Sequence, residues 1–322
     1  MPRSLKDTII PLLEQRTASV LKIIGHEAFN GLEEIRLRSG QPLMLQDSHG
    51  DWFLREDGAL TKNAAEGYTI TETEVQKSFE LISKHSLYAF QEEIKNGFIT
   101  LSGGHRVGLA GRMVMEAGNI KGMKDIAFLN IRISKEIIGC ADEAIKYIAN
   151  RNEIYNTLIV SPPQCGKTTM LRDIARVISD GGVKVSIIDE RSEIASCHKG
   201  VPQTSVGIRT DVLDACPKRH GMLMALRSLS PSVIVTDEIG NSGDKEAIMQ
   251  VVNAGVKIIT TAHGYNLSQL KARKEILELI EEKVFDRYIV LSNSEGPGTI
   301  EEVMDGSAKK ILYKRGEMYA AS

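Results

Sequence analysis

The sequence is poor in cysteine, in net charge and in long uncharged apolar runs, and each shortage excludes a class of protein. Its four cysteines, Cys140, Cys165, Cys197 and Cys216, stand far apart and form neither a CxxC pair nor a dense disulfide pattern, which sets aside a disulfide scaffold. Basic and acidic side chains nearly balance, 40 against 42, for a formal net charge of −2 and a pI near 6.4. That balance argues against a surface built mainly to coat nucleic acid, although it leaves room for a small basic groove. No stretch reaches membrane-spanning length without a charge. The amino-terminal MPRSLKDTIIPLLEQRTASVLKII carries charges through its apolar positions and reads as an amphipathic helix rather than a signal peptide. A cytoplasmic protein is expected, with any membrane association peripheral. There is no repeat and no low-complexity tract.

What is present suffices for two cores: 322 residues, 42% of them hydrophobic. Leu5, Ile9, Leu12, Val20, Ile23 and Ile24 lie close to one helical face, interrupted at Pro11. EIRLRSGQPLML, residues 34–45, alternates around Ser-Gly and predicts two strands, with a further short strand at Trp52–Leu54. Thr71 and Glu74 form a capping box opening a helix through Ile82, and a short helix follows Ser86. Residues 97–115 read as a glycine-punctuated hairpin and 126–133 as a strand. Arg106 and Arg112, flanked by glycines, fit a solvated strand edge or a phosphate-facing pair at an interface. Residues 1–135 are thus an α+β domain, 136–152 a linker, and 153–322 a domain of alternating strands and helices. Its strands are placed at 157–161, 183–188, 233–236 and 256–261, and its helices at 167–179, 218–228, 243–253 and 266–283. The tail from Arg287 reads as edge strands and hairpins. Continuous Val and Ile runs suit buried parallel strands, whose ligands gather at the carboxyl ends.

The chemistry concentrates at those ends. TLIVSPPQCGKTTML runs an apolar strand into a tight turn and a helix opening on Gly-Lys-Thr-Thr, the form of a phosphate loop with Ser161 at its first glycine position. Ser161, Pro162, Pro163, Gln164, Cys165 and Gly166 form the turn whose backbone N–H groups face an anion. Lys167 is assigned to the β and γ phosphates, Thr168 to Mg²⁺ and Thr169 to the α phosphate. About 70 residues on, VIVTDEIG ends a strand in Asp237, suited to hold the metal through water, and Glu238, suited to orient and polarise the attacking water. VSIIDERSEI places Asp189, Glu190 and Glu193 on the same crevice, with helix capping or surface ion pairs as the other reading. His263 in ITTAHG has no partner at metal spacing and suits a sensor of the γ phosphate better than a ligand, with a core or capping role as the alternative. Arg209, Arg219 and Arg227 precede the Asp-Glu strand, and one or more of them is a candidate to neutralise a neighbouring subunit's phosphates.

These segments resemble the type II/IV secretion ATPase superfamily, and the resemblance covers nearly the whole chain. SPPQCGKTT, IDERSEI, ALRSLSPSVIVTDEIG and TTAHG are similar, in order, to its Walker A, aspartate-box, Walker B and histidine-box segments, and EIRLRSGQPLML and GHRVGLAG to its amino-terminal domain. Ser161 and Gln164 replace glycines common in phosphate loops. The resemblance implies a RecA-like P-loop NTPase core with a smaller amino-terminal α+β domain, an ATPase using ATP and Mg²⁺, and a homo-oligomer in the form of a hexameric ring. In its sporulation branch it implies a motor at the inner membrane of the mother cell, energising or assembling a transenvelope channel to the forespore with sister channel proteins, and no specific nucleic acid. Two alternatives stand beside it. One is a RecA-like nucleic-acid translocase, for which CPKRHG at 216–221 is the only obvious basic loop, a small segment equally suited to shaping the nucleotide site; the other is a nucleotide-gated assembly scaffold.

Overall fold

Alternating side chains build one-sided strands in the first part of the chain. Glu34–Arg38 (β1) buries Ile35 and Leu37 completely and leaves its three charged residues half-buried on the other face. A turn containing Gly40, at φ +72°, leads to the antiparallel partner Met44–Asp47 (β2). The computed structural model describes residues 5–86, 90–116, 118–150 and 153–316, and the chain divides into two units, Met1–Lys135 and Glu136–Ser322.

In the first unit β1 and β2 join Gly50–Leu54 (β3), Leu60–Thr61 (β4), Phe98–Thr100 (β5), Arg106–Glu116 (β6) and Asn119–Arg132 (β7). The seven-stranded sheet has the order β4-β3-β2-β1-β7-β6-β5. The expected 97–115 hairpin is the β5–β6 pair, and the strand expected at 126–133 begins at Asn119, so that β7 also pairs along the outer half of β6. Gly111 permits the bulge there, since a Cβ would come within 2.9 Å of the Ile126 Cα. Arg106 stacks 4.2 Å from the centre of the Phe98 ring, and Arg112 is exposed.

The amino-terminal helix is interrupted at Pro11 as expected: Leu5–Ile9 (α1) passes through a 3-10 turn at Ile10–Leu12 before Gln15–Ile23 (α2) begins. That break resets the helical phase and leaves Ile23 56% exposed, off the apolar face predicted for it. His26–Gly31 (α3) follows. Thr71 and Glu74 make the capping box of Glu72–Ile82 (α4). The short helix after Ser86 is Gln91–Lys95 (α5), with Leu87, Tyr88 and Ala89 outside the described residues.

The second unit buries continuous apolar runs on both faces of a sheet. Thr157–Ser161 (β8), Val185–Asp189 (β9), Thr210–Asp214 (β10), Val233–Thr236 (β11), Lys257–His263 (β12), Arg287–Ser292 (β13), Thr299–Asp305 (β14) and Ile311–Lys314 (β15) take the order β10-β9-β11-β12-β8-β13-β14-β15. The six strands from β10 to β13 in that order are parallel, and β14 and β15 add on antiparallel. Asp142–Ile148 (α6) and Lys167–Asp180 (α7) cover one face through Ile148, Leu171 and Ile174. Lys218–Ser228 (α8), Ser242–Asn253 (α9), Leu267–Leu270 (α10) and Lys274–Glu281 (α11) cover the other through Met222, Ile248 and Leu279. This is a RecA-like P-loop NTPase core accompanied by a smaller unit. Among the described residues no helix is long and apolar enough to cross a membrane.

Three expectations are corrected here. The proposed linker carries α6, whose Ala144 and Ile148 are fully buried in the second core; Arg151 and Asn152 lie outside the described residues. The helix expected over 266–283 is two, α10 and α11, joined through an extended Arg273. At about 100° per residue, one straight helix would set Leu267 and Leu270 on the face opposite Ile276 and Leu279, yet all four are buried, so the chain must turn between them. β13 is not an edge strand: its YIVL run is buried between β8 and β14.

Candidate functional site

Parallel strands deliver their carboxyl ends to one side of the sheet, and four of them carry the predicted residues. Ser161 ends β8 and stands in register beside His263 at the end of β12. Asp189 ends β9, and Asp237 with Glu238 directly follow β11. Lys167 and Asp237 therefore lie at the same end of the sheet, as one polyphosphate site requires.

The turn between β8 and α7 has the form an anion needs. Gly166, at φ +76°, is the residue before α7 and gives the helix no side-chain cap, so its first amides have no cap partner. Gln164 also adopts a left-handed conformation, φ +60°, where a glycine is the unstrained choice. Pro163 and Gln164 are exposed, Thr168 and Thr169 half-buried, and Cys165 is 5% exposed, as its small-side-chain role requires. The turn before β14 braces the loop: Gly298 N–H donates to the Cys165 carbonyl at 3.0 Å. A Cβ on Gly166 would meet that turn at 3.1 Å, on Gly298 N. Gly166→Ala should therefore strain the loop by about 1–2 kcal/mol and weaken fluorescent-nucleotide binding several-fold; unchanged affinity would show the loop to be adaptable.

Lys167 is folded back on this loop. Its Nζ donates to the carbonyls of Ser161 at 3.3 Å and Pro162 at 3.1 Å and to His263 Nδ1 at 2.9 Å. An ammonium has only donors, so His263 Nδ1 accepts, and a neutral imidazole then carries its proton on Nε2. That nitrogen is 3.4 Å from Glu238 Oε1, whose other oxygen is 3.7 Å from Arg191 Nη1. A continuous chain thus links Lys167, His263 and Glu238. Burial pulls the Lys167 ammonium below the ordinary lysine range, opposed by the charges of Glu238 and Glu193.

Asp237 has the opposite problem. Burial raises its pKa and the Lys218 ammonium, 3.3 Å from Oδ1, opposes the rise. That contact is an ion pair without hydrogen-bond alignment, and Oδ1 is a buried oxygen with no hydrogen-bond partner. In the nucleotide-free protein the Lys218 ammonium is the cation that offsets this buried carboxylate. Among the described residues no group of three or more His, Cys, Asp or Glu side chains stands ready to hold a metal. The donors present, Asp237 and the hydroxyl of Thr168, suit an ion that brings phosphate and water oxygens with it, as Mg²⁺ does.

The aspartate-box segment is clamped from two sides. Asp189 is fully buried and accepts from Glu193 N and Ala195 N, both at 2.8 Å. Burial lifts its pKa to about 6, against the pull of those amides. Arg172 on α7 donates to the carbonyls of Ile194 and Glu193. Asp189 thus shapes the loop rather than facing the crevice, while Glu190 Oε2 reaches Lys218 Nζ at 2.6 Å. Glu193 acts on both Lys167 and Asp237 through its charge. Asp189→Ala should release both amides at a cost of about 2 kcal/mol, less than two charged hydrogen bonds because a buried charge also disappears. Thermal melts should fall by several degrees; an unchanged midpoint would mean that Arg172 alone holds the loop.

Two predicted residues do not join the convergence. Arg209 lies at the amino-terminal end of the parallel strands, its carbonyl accepting from Val185 N and its guanidinium reaching the Ser179 carbonyl at 3.4 Å. Arg227 is exposed in the last turn of α8, about 13 Å along the helix from Lys218. Crossover connections alternate between the two ends of the sheet, so proximity in sequence to Asp237 did not bring them near it. Arg219 forms an exposed pair with Glu246 at 3.0 Å. From sequence, Lys218 enters only within CPKRHG, as part of a segment suited to shaping the site, and is not singled out. The available signal was a lysine at the first position of a helix, where the macrodipole disfavours a cation.

The sporulation stage III, protein AA family model matches residues 4–311. The stage III sporulation protein AA of Bacillus subtilis is 41% identical over 313 residues, spanning 96% of this chain and 98% of that protein. Among solved structures, the ATPase DotB of Yersinia pseudotuberculosis aligns with a TM-score of 0.56 at 15% identity, over 86% of this chain and 76% of that one. The pilus retraction motor PilT with bound ADP aligns at 0.52 and 14% identity, over 81% and 74%. These two likenesses establish the fold. On the family match and the near full-length relative, the chain belongs to the sporulation stage III protein AA family, with the fold of the type II/IV secretion ATPases.

Proposed function

We propose that this chain is an ATP-hydrolysing motor of the secretion type, with its catalytic centre at the carboxyl ends of β8, β9, β11 and β12. The observation that carries the reading is the chain Lys167–His263–Glu238, which joins the group suited to a γ phosphate to the group suited to the attacking water. Lys167 exchanges its contacts with Ser161 O, Pro162 O and His263 for phosphate oxygens, and the loop amides up to Thr169 hold the remaining phosphates. Thr168 and Asp237 would hold Mg²⁺, which would supply charge neutralisation to the phosphates. Glu238 orients and deprotonates the water. His263, released by Lys167, reports the presence of the γ phosphate, and loss of those contacts drives relative movement of rigid parts.

Glu190 and Glu193 border the water and metal in this reading. Arg209 and Arg227, remote from their own subunit's centre, remain candidates only for the centre of a neighbour. The family resemblance extends the reading to a hexameric ring that energises or assembles the mother cell to forespore channel. Its partners there are sister channel proteins, and its place is the cytoplasmic face of the inner membrane. The basic loop required of a nucleic-acid translocase is engaged elsewhere: Lys218 is turned onto Glu190 and Asp237, and Arg219 onto Glu246. The test is the mass of purified protein with and without ATP and Mg²⁺, paired with phosphate release on the same sample. A nucleotide-induced hexamer with slow turnover is expected; an active monomer would contradict an assembled motor.

A further inference from the structure

Lys218 is 7% exposed, and its ammonium stands 2.6 Å from Glu190 Oε2 and 3.3 Å from Asp237 Oδ1. Every other feature of its position opposes a cation. It is the first residue of α8, which has no side-chain cap, so it faces the positive end of the helix dipole. Burial strips the ammonium of water, and the two carboxylates beside it supply the compensating charge. Among the described residues its ion-pair partners are these two carboxylates, and one of them is the buried acid Asp237.

We propose that Lys218 is a tethered counter-ion that occupies the metal side of the site, keeps free Mg²⁺ out, and is displaced when the metal arrives with nucleotide. The inference rests on the proposed placement of the metal at Asp237. A divalent ion that recruits Asp237 must overcome the ammonium 3.3 Å away, and Asp237 with Glu190 is too small a ligand set to do so unaided. Phosphate oxygens supply the missing ligands, so metal and nucleotide enter together. Once the metal neutralises Asp237, the ammonium is repelled both by the ion and by its own helix terminus. Lys218 is therefore a positioning residue, and metal arrival is transmitted to the start of α8.

The test is fluorescent ADP binding to the full chain as a function of Mg²⁺ concentration, for wild type, Lys218→Met and Lys218→Arg. Lys218→Met should lower the Mg²⁺ concentration giving half-maximal enhancement by about tenfold, with nucleotide affinity in EDTA changed less than twofold. Lys218→Arg should behave as wild type. Without nucleotide, Lys218→Met should melt below wild type in EDTA and recover in millimolar Mg²⁺, a gain wild type lacks. Equal Mg²⁺ requirements for the Met variant and wild type would overturn the inference while leaving the nucleotide site standing. If the Met variant binds no nucleotide even in EDTA, the lysine is a direct nucleotide ligand and the inference is wrong. Absence of nucleotide binding by wild type would overturn the site reading, and the inference with it.

Discussion

Glu238→Gln should bind ATP within about twofold of wild type and release phosphate some 10²- to 10³-fold more slowly, the range a positioned general base contributes. The substitution keeps the side chain's length and volume. It leaves Lys167 and the amides of the phosphate loop untouched, so the contacts that hold the polyphosphate survive. What disappears is the carboxylate beside His263 Nε2 and Arg191 Nη1. An amide there can orient a water but cannot take its proton. Single-turnover phosphate release, run beside fluorescent-nucleotide titration, separates the two effects. Near-normal turnover would remove Glu238 from the chemistry. Full biological function of the Gln variant, together with failure of a Lys167 variant, would favour a nucleotide-gated scaffold over a motor.

The second large effect is on binding. Lys167→Ala should weaken ATP at least about a hundredfold, since charge-assisted bonds to phosphate contribute roughly 1.5–3 kcal/mol each. Its fold should persist, because Lys167 is half-buried and its bonds in the nucleotide-free protein are to two loop carbonyls and His263. A melting midpoint within a few degrees of wild type would verify that. Lys167→Arg should not restore affinity, because a planar fork cannot take the place of a compact ammonium under the loop. Retained ATP affinity in the Ala variant would mean that the loop amides and α7 carry the site alone.

Much of this was legible because burial writes itself into composition. TLIVS and VIVT are mostly apolar and buried throughout, and both strand boundaries coincide with those expected. The α8 boundaries coincide too, and the Thr71–Glu74 box was readable from two residues. Where local pattern and tertiary demand diverged, reading failed. β10 was missed because TDVLD is short, polar and at a sheet edge, held by pairing with β9 rather than by its own apolar run. α6 was taken for linker because its short stripe acquires meaning only against α7. The site divides the same way. Residues contributed by a turn or a strand end, such as Lys167, Asp237 and His263, follow from the chain's local order. Lys218 and the Gly298 brace depend on which loops the topology brings over the crevice, and no spacing rule contains that. Arg209 shows the converse, since adjacency in sequence suggested a role that the crossover geometry carries to the other end of the sheet.

The central claim is a convergence of Lys167, Thr168, Asp237 and Glu238 on one Mg²⁺-bound triphosphate. A structure of the full chain with a non-hydrolysable ATP analogue and Mg²⁺ tests it most directly. The account predicts Lys167 Nζ on the β and γ oxygens and no longer on His263, with Asp237 turned to the metal and Lys218 withdrawn from it. An analogue bound anywhere else, or bound here with the Lys167–His263 contact intact, would contradict it.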